Sequence, residues 1–260
     1  MRNFSKEFFT TVITLTLLVS LAWYYLYLMT LNSDMASMGS MEMSAPFNIF
    51  LMPMTGNWVM NDFIVMFLMW TIMMFAMMMP STFIFLKMFG MMRSNMQSVK
   101  YPFLELSIVS VTYVLIWTIF SIFATLLQYY LHNLGMINMM GVLKNELLAG
   151  ITLICAGVFQ FSSLKNACLD KCRNPLSFIM GRRINNLSDV ATLGLVHGIF
   201  CLGCCWALML LLFVNGVMNL LWVVALTVTV LAEKILPFEK LTSRFFGLVL
   251  VGWGTYLTIL

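Results

Sequence analysis

Long apolar runs, set apart by short polar segments, are the feature that most restricts how this chain can fold. Most of them reach the length of about 20 residues that a helix needs to cross the hydrocarbon core of a bilayer. Only 9% of the residues are charged, against about 25% in soluble domains, so water is not the main solvent of this fold. The sequence predicts an all-α protein, a polytopic helical membrane bundle of about seven transmembrane helices. The predicted spans are 8–31, 58–86, 101–131, 147–164, 190–213, 220–236 and 245–260.

The basic residues are the guide to the orientation of this bundle. If the seven spans alternate in direction, every Lys and Arg except Lys144 lies on one side of the membrane. Cytoplasmic loops carry an excess of Lys and Arg. We therefore predict a cytoplasmic N-terminus and a multi-pass protein of the prokaryotic cytoplasmic membrane. The net charge of +4 then reflects this topology and does not indicate binding to nucleic acid.

The fifth run carries side chains that are soft metal ligands at helical spacing. His197, Cys201, Cys205 and Met209 follow one another every four residues, with Cys204 beside them, so a helix places them in one stripe. Imidazole, thiol and thioether groups suit Cu(I) or Zn(II). Packing is the alternative interpretation, because free Cys and Met are common in apolar cores. An ionisable His at membrane depth favours a functional site.

A second pair of thiols lies just beyond the fourth run. Cys168 and Cys172 would occupy one face if the fourth helix continued past Lys165. Their positions near the inner end of that helix would bring them to the depth of the fifth-run ligands. The alternative is a helix end with incidental cysteines among basic residues that set the topology. Small residues of the fifth run allow a neighbouring helix to approach closely, namely Gly194, Gly198 and Gly203.

Methionine is unusually abundant, with 26 residues, and the second run carries a stripe of it that includes Met73 and Met77. Pro80 ends this stripe and cannot donate a hydrogen bond to the Ala76 carbonyl, so a backbone oxygen should be freed there. The functional interpretation is a ladder of thioethers for Cu(I). The alternative is a stripe that serves packing.

The polar segment 32–57 is also rich in methionine, at Met35, Met38, Met41 and Met43. Exposed methionine gains nothing from core packing, so we predict a loop that collects Cu(I). The alternative is a surface loop whose methionines enter the lipid. The chain is accordingly divided into 1–57, the first transmembrane helix with this exposed loop, and 58–260, a six-helix membrane bundle with the metal site.

Glu233 and Lys234 end the sixth run and have two interpretations. One is an interfacial pair whose side chains both reach the lipid headgroups. The other is a carboxylate, Glu233, close to the metal path or acting as a proton partner. The position at the end of a span favours the first interpretation.

Three blocks of the sequence resemble one known family. They are A-M-M-M-P-S at 76–81, A-G-V-F-Q at 156–160 followed by C-L-D-K-C-R-N-P at 168–175, and H-G at 197–198 followed by C-L-G-C-C-W at 201–206, with Glu233-Lys234 further on. This is similar to the family of domain of unknown function 2182, described as predicted metal-binding integral membrane proteins, over about residues 60–255. The resemblance implies a metal bound by the matched Cys, His, Met and Glu residues, without a reaction. Phe159 stands where the family usually has Tyr.

The sequence therefore favours a metal-binding membrane protein that handles Cu(I), with zinc as the alternative metal. It has no Ser-His-Asp, Walker or G-x-G-x-x-G pattern, which disfavours a hydrolase or a nucleotide-driven pump, and only two His, too few for a di-iron or multi-His copper oxidase site, so an enzyme is the less favoured interpretation. A membrane thiol–disulfide oxidoreductase using the C-x-x-C at 201–204 is an alternative, and so is an accessory subunit of a membrane metalloenzyme complex. The expected partners are the lipid bilayer and a metallochaperone or a membrane complex. The candidate ligands are Cys168, Cys172, His197, Cys201, Cys204, Cys205, Met73, Met77, Met209, Glu233, Met35, Met38, Met41 and Met43.

Overall fold

Helices make up nearly all of the described structure, which confirms the all-α prediction. The computed structural model describes residues 2–37, 58–94, 102–138, 140–182, 184–236 and 239–259. Within these residues the only β-pairing is an isolated antiparallel bridge between Ile137 and Leu143. The helices are α1 (Arg2–Ser37), α2 (Met60–Ser94), α3 (Pro102–Asn133), α4 (Glu146–Phe159), α5 (Ser163–Arg173), α6 (Pro175–Met180), α7 (Leu187–Leu210), α8 (Leu212–Asn215), α9 (Leu220–Ile235) and α10 (Glu239–Ile259).

Four of the described helical segments are long and apolar enough to cross a membrane. They are Glu7–Leu31, Met60–Arg93, Phe103–Asn133 and Leu187–Asn215, and the bent pair of α4 and α5 would make a fifth. The predicted sixth span corresponds to α9, whose 16 residues fall just below the usual length of about 17–25. Apolar helices of spanning length are thus found, whereas seven spans and a cytoplasmic N-terminus stay predictions.

The fourth apolar run is broken where a single helix was predicted. α4 ends at Phe159, and α5 begins at Ser163 after a bend of 62°. The Ser162 hydroxyl accepts a hydrogen bond from the backbone N–H of Lys165 at 3.1 Å, and Ser is a favoured N-cap residue. The span predicted over 147–164 is therefore corrected, because Ser162 starts a new helix instead of letting the first continue. Cys168 and Cys172 lie on that separate helix.

α2 runs through Pro80 and on to Ser94, beyond the end predicted near residue 86. The Ala76 carbonyl, which Pro80 cannot serve, accepts a hydrogen bond from Nε1 of Trp23 at 3.2 Å. Buried backbone oxygens require a partner, and here an indole of α1 supplies it. The Ala76 carbonyl oxygen, which the sequence predicts to lack a helical partner, thus forms a hydrogen bond that joins α2 to α1.

Glycines of α7 allow two different helices to approach it closely. A Cβ at Gly194 would lie 2.8 Å from the Val109 carbonyl oxygen of α3, and Gly198 faces the same helix. A Cβ at Gly203 would lie 2.8 Å from the sulfur of Cys168 in α5. The expected approach of the Cys168 helix to α7 therefore depends on Gly203, whereas Gly194 and Gly198 bring α7 against α3.

Candidate metal centre

Thiols from α5 and α7 lie together in the core of the helical bundle. Cys201, Cys204 and Cys205 of α7 are all buried, and Cys172 of α5 is half-buried. The Cys172 thiol interacts with the thiols of Cys201 and Cys204, and the Cys201 thiol interacts in addition with that of Cys205. We call these four residues the thiol cluster. Cys168, one turn before Cys172, packs against Gly203 at the edge of the cluster.

The thiols of the cluster are free and are held partly by the backbone of α7. All six cysteines of the chain are unpaired. The Cys204 and Cys205 thiols donate hydrogen bonds to the Cys201 carbonyl oxygen at 3.1 and 2.8 Å. In the part of the chain that is described, no three His, Cys, Asp or Glu side chains are arranged around one metal position. To bind an ion, the Cys204 and Cys205 thiols would rotate away from that carbonyl. The energetic cost of losing these hydrogen bonds is small because a thiol is a weak donor.

Cys201 has the most polar surroundings of the cluster. Its sulfur lies 2.9 Å from Nζ of Lys234 in α9 and 3.0 Å from the hydroxyl of Tyr113 in α3. Lys234 also donates a hydrogen bond to the Ser81 hydroxyl of α2 at 2.8 Å. A buried ammonium group therefore lies against a sulfur atom at the meeting point of four helices.

The methionine stripe of α2 reaches the cluster at Met78. The Met78 sulfur lies 4.0 Å from the Cys205 sulfur, and the Met78 carbonyl accepts hydrogen bonds from the hydroxyls of Ser81 and Tyr113. The predicted ligands Met73, Met77 and Met209 are all fully buried. Sequence reasoning passed over Met78, because three adjacent methionines before Pro80 do not reveal which of them faces α7.

His197 occupies an aromatic pocket one helical turn before Cys201. The side chain is only 4% exposed, and its ring stacks on Phe85 with centroids 3.9 Å apart. The rings of Tyr113 and Phe178 lie 5.6 and 6.5 Å away. This pocket holds the imidazole beside the thiol cluster, between α2, α3 and α6.

Glu233 and Lys234 each have a protein partner, so the interpretation of both as side chains that reach lipid headgroups is wrong. Both carboxylate oxygens of Glu233 accept hydrogen bonds from Nζ of Lys165 in α5 at 2.7 Å. Lys165 and Glu233 side chains are 0% and 2% exposed. Arg173 donates to the Glu233 carbonyl oxygen at 2.9 Å and so ties the end of α5 to α9. Sequence reasoning missed Lys165 and Lys234 because it interpreted basic residues as markers of topology.

The outer methionine segment is largely beyond the described structure. Met38, Met41 and Met43 lie outside the described residues. Met35 belongs to α1, but its side chain is not described. Residues 32–37, predicted to begin a polar loop, instead extend α1.

Comparison with known protein families gives a match over most of the chain. A family model with the description PpoB2, copper chaperone, matches residues 67–257, which is most of the chain and includes every residue of the thiol cluster. The matched range nearly coincides with the region that resembles domain of unknown function 2182, although the name differs. No curated protein and no solved structure matches.

Proposed function

Because this chain belongs to the PpoB2 family of copper chaperones, we propose that it is an integral membrane protein that binds Cu(I) and passes it on. The thiol cluster is the proposed holding site. The observation that carries the proposal is the convergence of thiols from two helices, with the Met78 thioether 4.0 Å from Cys205, inside the matched range. Thiolate and thioether groups are the ligands that favour Cu(I) among the common metals.

The surroundings of the cluster favour copper over zinc. Zinc sites in proteins are built from Cys, His and carboxylate ligands, whereas a thioether ligand suits Cu(I). Here the Met78 thioether lies against the cluster, and the carboxylate of Glu233 is engaged by Lys165. We propose that Glu233 acts by fixing Lys165 and thereby the contact of α5 with α9. His197 and Cys168 remain proposed ligands at the edge of the cluster.

Lys234 is the proposed counter-charge of the bound ion. Cu(I) held by two thiolates carries one net negative charge, and burial of an uncompensated charge is costly. The ammonium group of Lys234, 2.9 Å from the Cys201 sulfur, would neutralise that charge. The same group would also hold Cys201 in place before copper arrives.

The proposed topology keeps the seven spans, with the bent pair of α4 and α5 and the pair of α7 and α8 each crossing once. The N-terminus is on the cytoplasmic side, as are the basic residues Lys171 and Arg173 at the end of α5. The cluster then lies nearer the cytoplasm, and Met35, Met38, Met41 and Met43 collect Cu(I) on the outer side. A copper-dependent membrane enzyme or a soluble metallochaperone is the proposed recipient.

Burial of the C-x-x-C motif argues against the alternative of a thiol–disulfide oxidoreductase. Such an enzyme needs an attacking thiol that its protein substrate can reach. Cys201 and Cys204 are 0% and 2% exposed, inside the bundle. A small ion can reach such a position, whereas a protein disulfide cannot.

The direct test is metal selectivity of the purified chain in detergent under anaerobic, reducing conditions. Competition with a coloured Cu(I) chelator and, separately, with a Zn(II) chelator gives both affinities. We expect Cu(I) to be held at least about tenfold more tightly than Zn(II), or about 1.4 kcal/mol, and to pass to an acceptor on mixing. Tighter retention of Zn(II), or no retained Cu(I), would contradict the proposal.

Lys234 offers a test of the proposed counter-charge. Lys234→Met keeps an unbranched apolar stem and removes the charge, so we expect the Cu(I) affinity to fall by about tenfold or more. Lys234→Arg should retain most of the affinity, and Lys87→Met, at an exposed position of α2, is the matched control. Competition titration against the Cu(I) chelator measures all three. A loss of thermal stability with unchanged Cu(I) affinity would show that Lys234 is only structural.

A further inference from the structure

We propose a second Cu(I) site, built of thioethers alone, in a cavity between α1, α2 and the turn that precedes α9. The cavity has a volume of about 20 Å³. Four of the residues that line it are methionines from three separate elements, Met29 of α1, Met69 and Met73 of α2, and Met218 of the turn. This inference deepens the proposed function, on which it rests, by adding a place where copper would bind before it reaches the thiol cluster.

The cavity itself distinguishes these methionines from ordinary packing. Methionine is flexible and normally fills irregular gaps in a core. Here four methionines from three elements line a partly open pocket without filling it, although an unfilled space against apolar side chains forfeits contacts. A space of this volume exceeds the roughly 10–15 Å³ that a single water molecule needs.

The chemistry of the side chains that line the cavity determines which ion can bind there. Among the described residues that line it, the side chains are apolar apart from the thioethers and the Thr30 hydroxyl, and none is a carboxylate, an imidazole or a thiol. Oxygen-seeking cations such as Mg²⁺ or Ca²⁺ therefore have no suitable ligand, whereas soft thioethers suit Cu(I). A monovalent ion is also the least costly to hold among uncharged ligands.

The cavity and the thiol cluster are joined by buried thioethers of one helix. Met73 lines the cavity, Met77 follows one turn later, and Met78 lies 4.0 Å from the Cys205 sulfur. At 1.5 Å per residue, Met73 and Met78 are separated by about 7–8 Å along α2. All three side chains are fully buried. Copper could thus exchange one sulfur ligand for the next without a change of oxidation state.

The test removes the thioethers and keeps the volume. We expect the wild-type chain, titrated with Cu(I) against a weak chelator, to bind a second equivalent more weakly than the first. The double variant Met69→Leu/Met73→Leu should lose the weaker equivalent and retain the tight one. Met74→Leu, at a buried position of the same helix outside this cavity, is the matched control and should keep both. Met29→Leu, on a different helix, should weaken the same equivalent.

The outcomes separate this site from the thiol cluster. We expect Cys201→Ser to lose the tightly bound copper equivalent and to retain the weakly bound one. The methionine variants should lose the weakly bound equivalent and retain the tightly bound one. A wild-type chain that binds a single equivalent, or methionine variants that bind like the Met74→Leu control, would overturn the second site and leave the proposed function standing. Unfolding curves of the copper-free variants, equal to wild type, establish that the fold is intact. If instead Met69→Leu/Met73→Leu removes all copper and Cys201→Ser removes none, the thiol cluster is not the holding site.

Discussion

Replacing Cys201 with serine should abolish tight Cu(I) binding. Cys201 interacts with all three other members of the thiol cluster, and its sulfur has Lys234 and Tyr113 within 3.0 Å. A serine hydroxyl keeps the size and the hydrogen-bonding capacity of the side chain, but it is a hard and weakly coordinating group. We expect the Cu(I) affinity to fall about 100-fold or more, which is about 2.7 kcal/mol. Chelator competition on purified protein measures the change.

Cys155→Ser is the matched control for this prediction. Cys155 is also a cysteine of the helical bundle, on α4, but its side chain is exposed. We expect its replacement to leave the Cu(I) affinity unchanged. Cys172→Ser removes the thiol that α5 contributes, and its Cu(I) affinity should lie between those of Cys201→Ser and Cys155→Ser. Copper content that is unchanged in Cys201→Ser, or reduced equally in Cys155→Ser, would mean that the thiol cluster does not hold the ion.

The stripe of soft ligands on α7 could be predicted because helical spacing fixes which residues share a face. His197, Cys201 and Cys205 follow that spacing, and in the structure all three are buried on the inner side of α7. Whether Cys172 would join them could not be predicted in the same way. That contact depends on the N-cap at Ser162 and the 62° bend before α5, which together set the direction of a separate helix.

The charged neighbours of the site could not be predicted, because their partners are distant in sequence. Lys165 and Lys234 resemble the basic residues that mark cytoplasmic loops. Each instead turns into the bundle, where Glu233 engages the first and Cys201 the second. The same is true at Pro80. The sequence predicts that the Ala76 carbonyl lacks its helical partner, but it does not indicate that Trp23 donates a hydrogen bond to it. Local rules identify a group that needs a partner, and tertiary packing decides which residue provides it.

Replacing Lys165 with methionine should destabilise the fold strongly. Lys165 and Glu233 form an ion pair with N–O distances of 2.7 Å, and neither side chain is exposed by more than 2%. Removal of the lysine leaves a buried carboxylate without its partner, which costs about 3–5 kcal/mol. Unfolding in detergent, followed by the thermal midpoint, measures the loss. Lys171→Met, at an exposed position of the same helix, should leave the midpoint nearly unchanged.

The double variant Lys165→Met/Glu233→Leu separates the charge from the packing. Replacement of a buried ion pair by apolar side chains of similar volume is often close to neutral, so the double variant should regain most of the stability lost by Lys165→Met. If it does, the single variant fails because a charge is left uncompensated. A double variant as unstable as the single one would instead show that the lysine stem contributes by packing. Since the pair joins α5 to α9, and these helices carry Cys172 and Lys234, restored stability should be accompanied by restored Cu(I) affinity.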